Sequence, residues 1–481
     1  MLELFNYVDG ARKPAQSGRW LEVWEPATGQ VYGRAPQSDE ADLATALESA
    51  QHALPAWRDL PASERARWLN RVANLVERDL EEFACAESRD TGKPVALART
   101  LDIPRAISNL RFFAAAATQF ASESHAMECG AINYTLRQPH GVVATISPWN
   151  LPLYLLTWKI APALATGNCV IAKPSEITPL TACLFAERCI EAQLPAGVLN
   201  ILHGQGAQIG QALVAHPAVR AISFTGGTAT GQRIAATAAP HFKRLSLELG
   251  GKNASMVFAD CDFEAAVAGT VRSAFANQGE ICLCGSRVLV EQSIYARFRD
   301  AFVARVRALR VGDPRDASTD LGALVSAAHR AKVINAIHRA SADGGRILCG
   351  GGLTQVASTA CRDGWFVQPT VIENLPPTSA ANQEEIFGPV ATLLPFEGET
   401  EALAIANGTP YGLAASVWSR DIARCHRIAA RLECGVVWVN SWMLRDLRTP
   451  LGGMKNSGTG REGGYEAMRF FTEPRNVCVS Y

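Results

Sequence analysis

A thiol in a loop, a carboxylate in a glycine turn and a carboxamide in a proline-rich turn are the residues of this sequence best suited to chemistry. Residues 275–287, Phe-Ala-Asn-Gln-Gly-Glu-Ile-Cys-Leu-Cys-Gly-Ser-Arg, interrupt an apolar helical stretch (263–276) and a β-branched run (288–290). Cys282 should therefore stand on a loop at an element boundary, where chemistry concentrates. Glu248 precedes Leu249-Gly250-Gly251, and Asn150 lies in Pro148-Trp149-Asn150-Leu151-Pro152. Together the three can supply a nucleophile, a general base and an oxyanion donor for covalent catalysis at a carbonyl. A free thiol with a pKa near ~8.5 is only slightly ionised at neutral pH, so Cys282 needs activation by its surroundings. The plain alternative is that Cys282 and Cys284 are two of thirteen scattered cysteines that act as small buried hydrophobes.

The chain has to hold these residues on a large scaffold. At 481 residues, 48% apolar and 19% charged, it is long enough for two or three domains. Its 46 basic and 46 acidic residues cancel, and no basic stripe marks a nucleic-acid surface. The N-terminus has neither a basic n-region nor an apolar h-region, and no apolar run approaches about 18 residues. A cytoplasmic chain with no membrane partner is the expectation. The cysteines show no framework, and the Cys282-x-Cys284 pair has no companion pair or nearby histidine, which reads against a disulfide scaffold and against a metal site.

Residues 1–35 read as short strands and turns. Leu69, Val72, Val76, Leu80 and Phe83 follow as the stripe of an amphipathic helix, and Leu97–Phe120 as a further helix that Pro104 kinks or restarts. Between 141 and 250, apolar runs at 142–146, 170–172, 198–202 and 221–224 alternate with helical segments, the rhythm of a parallel sheet. Ligands of such sheets bind beyond the carboxyl ends of the strands. Three such ends carry suitable groups: Ser147 to Pro152, Lys173-Pro174-Ser175-Glu176, and Thr225-Gly226-Gly227-Thr228, which opens a helix fit for a pyrophosphate. The last is neither a P-loop nor the usual dinucleotide fingerprint. Lys173 and Glu176 could bracket a ribose, and the carboxylate would repel a 2′-phosphate, favouring NAD over NADP. From about 251 a second α/β set begins. It contains the Cys282 loop, Glu384-Glu385-Ile386-Phe387-Gly388-Pro389, and the loop 441–448 with Arg445, Asp446 and Arg448. The alternating runs 131–138 and 475–481 read as edge strands that subunit pairing could cover.

Taken together, Pro148-Trp149-Asn150, Lys173 to Glu176, Phe224-Thr225-Gly226, Glu248 to Lys252, Asn277 to Cys282 and Glu385 to Pro389 resemble the motifs of the NAD(P)-dependent aldehyde dehydrogenase superfamily, in its order and over essentially the whole chain. Asp102 to Arg105, Asn277 to Cys284 and the Arg445 loop are similar to its muconate-semialdehyde branch. The resemblance implies an α/β fold with a Rossmann-type coenzyme domain (1–120 and 140–250), an α/β catalytic domain (251–453) and a small β bridging element (121–139 and 466–481) that makes homodimers or homotetramers. It implies Cys282 as nucleophile, Glu248 as base and Asn150 as oxyanion donor. Ile146, Trp149, Lys173, Glu176, Gly206, Gly226, Gly227 and Leu249 would surround NAD, with Glu385 on the nicotinamide ribose, Phe387 beside the ring, and Lys159 in a proton relay toward Glu248. Gly227 and Glu280 depart from the Ser and Gln of many members; backbone matters at the first, so the phosphate site should be spared.

The expected substrate is a muconate-type semialdehyde such as 2-aminomuconate 6-semialdehyde. Arg105 and Arg445 would clamp its carboxylate, with Arg448 in reserve, unless Asp446 pairs one of them locally. The alternatives are 2-hydroxymuconate semialdehyde, or an apolar aldehyde in a tunnel lined by Trp442, Met443 and Leu444. A CoA-acylating or non-catalytic member fits less well, because neither needs both Glu248 and Cys282.

Overall fold

A computed structural model describes residues 1–481. Its first sheet has eight strands, in the order Gly458–Thr459, Arg244–Glu248, Val219–Thr225, Val142–Ile146, Cys169–Lys173, Leu199–Ile201, Asn6–Val8 and Ala11–Lys13. The five strands from 142 to 248 run parallel, and each outer strand pairs antiparallel with its inner neighbour. From Val142–Ile146 the chain winds first to one side, through 169 and 199, and then to the other, through 219 and 244. The strand order therefore reverses between Val142–Ile146 and Val219–Thr225, and a crevice opens at such a switch point. These strands are buried on both faces, which explains their unbroken apolar runs.

The second sheet has seven strands, in the order Arg346–Cys349, Thr370–Glu373, Val390–Phe396, Arg287–Glu291, Ala254–Val257, Ala414–Trp418 and Val436–Val439; all are parallel except the first. The Cys282 loop leads into the amino end of Arg287–Glu291, so the nucleophile loop of the second sheet meets the carboxyl ends of the first. A core of 64 buried residues serves the first sheet, drawn from positions 7–249 and from Ala467, Met468 and Phe471. Separate clusters between 254 and 432 serve the second.

The helix that carries Arg105 is restarted, as Pro104 requires. A π-helical turn, Ala98–Asp102, feeds Ile103–Ala117, and the proline sits in the first turn, where no N–H is missed. A third sheet pairs Thr472–Ser480, Ala131–Pro139 and Ser124–Met127, and leaves Met127, Ile132, Leu136 and Val479 exposed. Its C-terminal strand begins at Thr472 rather than 466. Residues 466–470 complete the helix Gly464–Phe470, because Ala467 and Met468 pack into the first core. Gly458–Thr459 also returns to the first sheet, beside Glu248. All thirteen cysteines are free thiols, and no helix is long and apolar enough to cross a membrane.

Candidate active site

The loop that carries Cys282 leaves its helix through three successive left-handed residues, Asn277 (φ 53°), Gln278 (φ 56°) and Gly279 (φ 73°). A side chain at 279 would drive its Cβ to 2.1 Å from the Gly388 carbonyl oxygen, so the close approach as well as the φ demands glycine. Side-chain N–H groups pin the rest. Asn253 Nδ2 donates to the carbonyls of Cys282 (2.7 Å) and Cys284 (2.9 Å), and Trp442 Nε1 donates to that of Leu283 (2.9 Å). Cys284 is buried in this packing. Burial pushes the Cys282 thiol up to about 12; the Glu385 and Glu248 carboxyls act the same way and the Arg445 guanidinium acts against them. The free protein thus holds a neutral thiol.

Cys282 lines a compartment of about 240 Å³ with Trp149, Asn150, Gly226, Gly227, Leu249, Glu385 and Phe387. A wider cleft of about 470 Å³ shares Trp149, Gly226 and Gly227, and adds Ile146, Lys173, Glu176 and Gly206. All ten residues expected around the cofactor line one or the other. The sites on three strand ends, far apart in sequence, meet at the switch point.

The donor set of this cleft fits a dinucleotide. The helix Thr228–Ala238 starts at Gly227 with no side chain capping its first N–H groups, which leaves them for an anion. Lys173 Nζ is 2.5 Å from Glu176 Oε2, and the Gly206 N–H donates to Glu176 Oε1 at 3.2 Å. Burial works against ionisation of Glu176, but Lys173 and these bonds bring it below the ordinary value. Glu385 Oε1 accepts from the Gly251 N–H at 2.9 Å. Phe387 meets Trp149 edge-on at 5.2 Å between ring centroids. The sequence reading missed His329 and Lys332 in the same compartment. His329 Nε2 lies 2.6 Å from the Phe387 carbonyl oxygen, so that nitrogen carries the proton. Burial pulls His329 down to about 4, the bond to Phe387 opposing, and the ring is neutral. An isolated histidine and lysine on a helix give no local signal in sequence.

Asn150 Nδ2 donates to the Glu280 carbonyl at 2.8 Å, which fixes the amide beside the thiol and leaves its second N–H unused. Glu248 ends its strand 5% exposed, and its Oε1 has no hydrogen-bond partner. Burial, then the charge of Glu462, holds its carboxyl well above the ordinary range; Lys159, Arg461 and Arg445 oppose this. Lys159 does not bond to Glu248. Its Nζ donates to Glu462 Oε1 (2.5 Å) and to Ser223 Oγ (3.1 Å), and Ser223 Oγ donates to the same Glu462 oxygen (3.0 Å). Glu462 was not foreseen because it arrives on the chain's late return to the first sheet.

The three arginines separate. Arg105 lies over the rings of Tyr154 (5.6 Å) and Trp158 (5.7 Å), and its Nε and Nη2 are buried without a partner. Arg445 donates from Nη1 to the Tyr154 hydroxyl at 2.8 Å and lies 5.5 Å from the Trp158 ring. Arg448 stands apart: its side chain is 79% exposed and forks onto Asp446 at 2.6 Å. Asp446 thereby pairs Arg448, two residues away, and leaves Arg445 free of it. Of the residues named for a tunnel that would take an apolar aldehyde, Leu444 is 77% exposed, whereas Trp442 and Met443 pack in the cluster that also holds Cys282.

A neutral thiol, an unpartnered buried carboxyl and an oriented amide beside a dinucleotide-shaped cleft define a covalent carbonyl oxidoreductase site. Residues 13–477 match the aldehyde dehydrogenase family, and the chain belongs to it. It is 48% identical over 483 residues to the 2-aminomuconic semialdehyde dehydrogenase of Homo sapiens, covering 100% of this chain and 99% of that one. It is 46% identical to the 2-hydroxymuconic semialdehyde dehydrogenase of Pseudomonas sp. (strain CF600), covering 100% of both. A crystal structure of PnpE in complex with nicotinamide adenine dinucleotide superposes with a TM-score of 0.97 at 41% identity, covering 99% of this chain and 97% of that one.

Proposed function

We propose that this chain is an NAD-dependent dehydrogenase that oxidises a carboxylate-bearing semialdehyde of the muconate type, with 2-aminomuconate 6-semialdehyde first, to the acid. One observation carries the substrate class. Arg105 keeps two buried guanidinium nitrogens, Nε and Nη2, to which no carboxylate of the chain is bonded; Tyr154 and, more weakly, Asp446 favour its charge, and Arg445 beside it opposes it. Buried donors left unmade cost about 1–3 kcal/mol each, a cost a bound carboxylate would remove. The names of the relatives point the same way. In this reading residues 1–120 and 140–250 hold the cofactor, 251–453 carry the thiol, and 121–139 with 472–481 join subunits in a cytoplasmic homo-oligomer.

Cys282 gives its thiol proton to water, and Sγ attacks the aldehyde carbon to form a thiohemiacetal alkoxide. The free N–H of Asn150 and the backbone N–H of Cys282 hold the oxyanion, each such donor contributing about 3 kcal/mol. Ile146, Trp149, Lys173, Glu176, Gly206, Gly226, Gly227, Leu249, Glu385 and Phe387 would hold NAD, which supplies a cationic ring and a hydride acceptor. Loss of the carbonyl hydrogen as hydride leaves a thioester on Cys282. Glu248, with a raised pKa and a free oxygen, takes the proton of the water that hydrolyses it.

The test is NADH production from 2-aminomuconate or 2-hydroxymuconate semialdehyde and from an uncharged aldehyde of similar length, in the wild type and in Arg105→Ala. A kcat/KM for the semialdehyde about 10²-fold lower in the variant, with the uncharged aldehyde unchanged, is expected for the loss of a buried charge-paired donor. Equal rates on both aldehydes in both proteins would remove the carboxylate-bearing substrate and leave the dehydrogenase.

A further inference from the structure

Behind the oxyanion donor lies a charged cluster that none of the roles above uses. The side chains of Lys93 and Asp102 are both 0% exposed, and Lys93 Nζ donates to Asp102 Oδ2 at 2.5 Å. The same ammonium donates to the backbone carbonyl oxygen of Asn150 at 2.8 Å, where Asn277 Nδ2 adds a longer bond of 3.3 Å. Glu87 is buried alongside, and its Oε2 accepts from the Leu153 N–H at 3.4 Å. Burial pushes both carboxyls up, Glu87 to about 8 and Asp102 above its ordinary value, and Lys93 opposes the shift in each, but only Asp102 is bonded to the ammonium.

A buried ion pair is weak evidence for stability, because desolvation consumes most of what the attraction returns. The third bond distinguishes this one. Asn150 sits in the turn between Val142–Ile146 and the helix Pro152–Ala165, outside both ladders, and the turn therefore needs an outside hold on its peptide. Asp102 closes the π-helical turn that leads to Arg105, three residues on. Lys93 thus joins the element that carries the substrate arginine to the residue that faces the alkoxide.

We propose that Lys93 is a positioning residue of the oxyanion site: anchored by Asp102, its ammonium grips the Asn150 carbonyl and so fixes the peptide from which the Asn150 amide reaches the thiol's compartment. The inference rests on reading Asn150 as the oxyanion donor.

Lys93→Met combined with Asp102→Asn removes both charges together and avoids a lone buried ion. Single-turnover NADH formation and NAD binding by fluorescence titration are measured for this pair, for Asn150→Ala and for the triple variant. The pair should lower the single-turnover rate about 10- to 100-fold, the scale of a 1 Å misplacement, with NAD affinity within about twofold. Asn150→Ala should cost about 10²- to 10³-fold in the wild type and less than about tenfold in the pair background, since two changes acting through one donor do not add. A merely structural loss would instead multiply with Asn150→Ala, and that result, or a pair variant within about threefold of the wild type, overturns the role. An Asn150→Ala loss below about threefold in the wild type sinks the oxyanion reading, and the positioning role with it. Should the pair not fold, Asp102→Asn alone decides. It keeps the Lys93 bond to Asn150 but loosens its anchor, so an absent loss, or a loss that multiplies with Asn150→Ala, overturns the role.

Discussion

On the cofactor side of Cys282, Lys173 is bonded to Glu176, Glu176 to the Gly206 N–H, and Glu385 to the Gly251 N–H. On the far side, Glu248 Oε1 and Arg105 Nε and Nη2 stand buried with no partner. In the first region the charged side chains are paired before any ligand arrives, and what stays unmade is the helix start and the hydroxyls of Ser147 and Thr225, whereas in the second a carboxyl and a guanidinium store the cost of unmade hydrogen bonds. Binding and turnover relieve that cost, so the far side should be where substitutions separate stability from activity.

The most severe test of the division is Cys282→Ala. Loss of the nucleophile should lower kcat by about 10⁴-fold or more, while NAD affinity by calorimetry stays within about twofold, because the cleft's own pairs are untouched. A large fall in NAD affinity would show that the two regions are one.

Glu248→Gln comes next. It should lower steady-state kcat by about 10²- to 10⁴-fold, yet leave a rapid burst of one NADH per site, since acylation does not use the base. In the wild type, kcat should rise with pH through a group well above the ordinary carboxylate range, and the variant should lose that limb. Stability should move the other way. A carboxyl whose folded pKa is raised is bound to a proton longer in the folded state, so it destabilises the fold as pH climbs above the unfolded value of about 4.5. Glu248→Gln should therefore raise Tm at about pH 8, the gain shrinking toward about pH 5. An unchanged Tm at alkaline pH would mean that the carboxyl carries no burial penalty.

Arg445→Met has a smaller effect that reaches across the boundary. Loss of its bond to Tyr154 and of its share of the clamp should lower kcat/KM for the semialdehyde about tenfold. Arg445 also opposes the upward shift of the Cys282 thiol, so the pH profile of Cys282 alkylation by iodoacetamide should move to higher pH in the variant. An unmoved profile with a raised KM would confine Arg445 to the substrate.

The region of paired charges was also the one legible in sequence. Its groups follow strands of a parallel sheet, so the apolar rhythm alone said where to look, and Trp149, Lys173 and Gly226 each stand at one of the three ends. The unsatisfied region was only half visible. Arg105 and Arg445 could be named, but Tyr154 and Trp158, which orient them, repeat at helical spacing and look like core. Lys93 and Glu462 contact the site from positions 57 residues before Asn150 and 214 after Glu248, with no local pattern to mark them. Local periodicity reports where a strand ends; it does not report which distant ammonium will close on a turn. The strand limits slipped for the same reason, since helix Gly464–Phe470 owes its place to a core built some 220 residues earlier or more.

Within the cleft itself, two adjacent glycines give the finest test. A Cβ at Gly227 would meet nothing within 4 Å, whereas one at Gly226 would come to 2.5 Å from the Phe224 ring. Phe224 is 5% exposed and lines the cleft, so its ring can yield only into space the cofactor would use. Gly227→Ser should leave NAD affinity within about twofold, because the anion site at this helix start is made of backbone N–H groups. Gly226→Ala should weaken NAD at least about tenfold, the cost of about 1.4 kcal/mol of displaced packing. Equal losses at the two positions would mean that a serine at 227 does more than fill space.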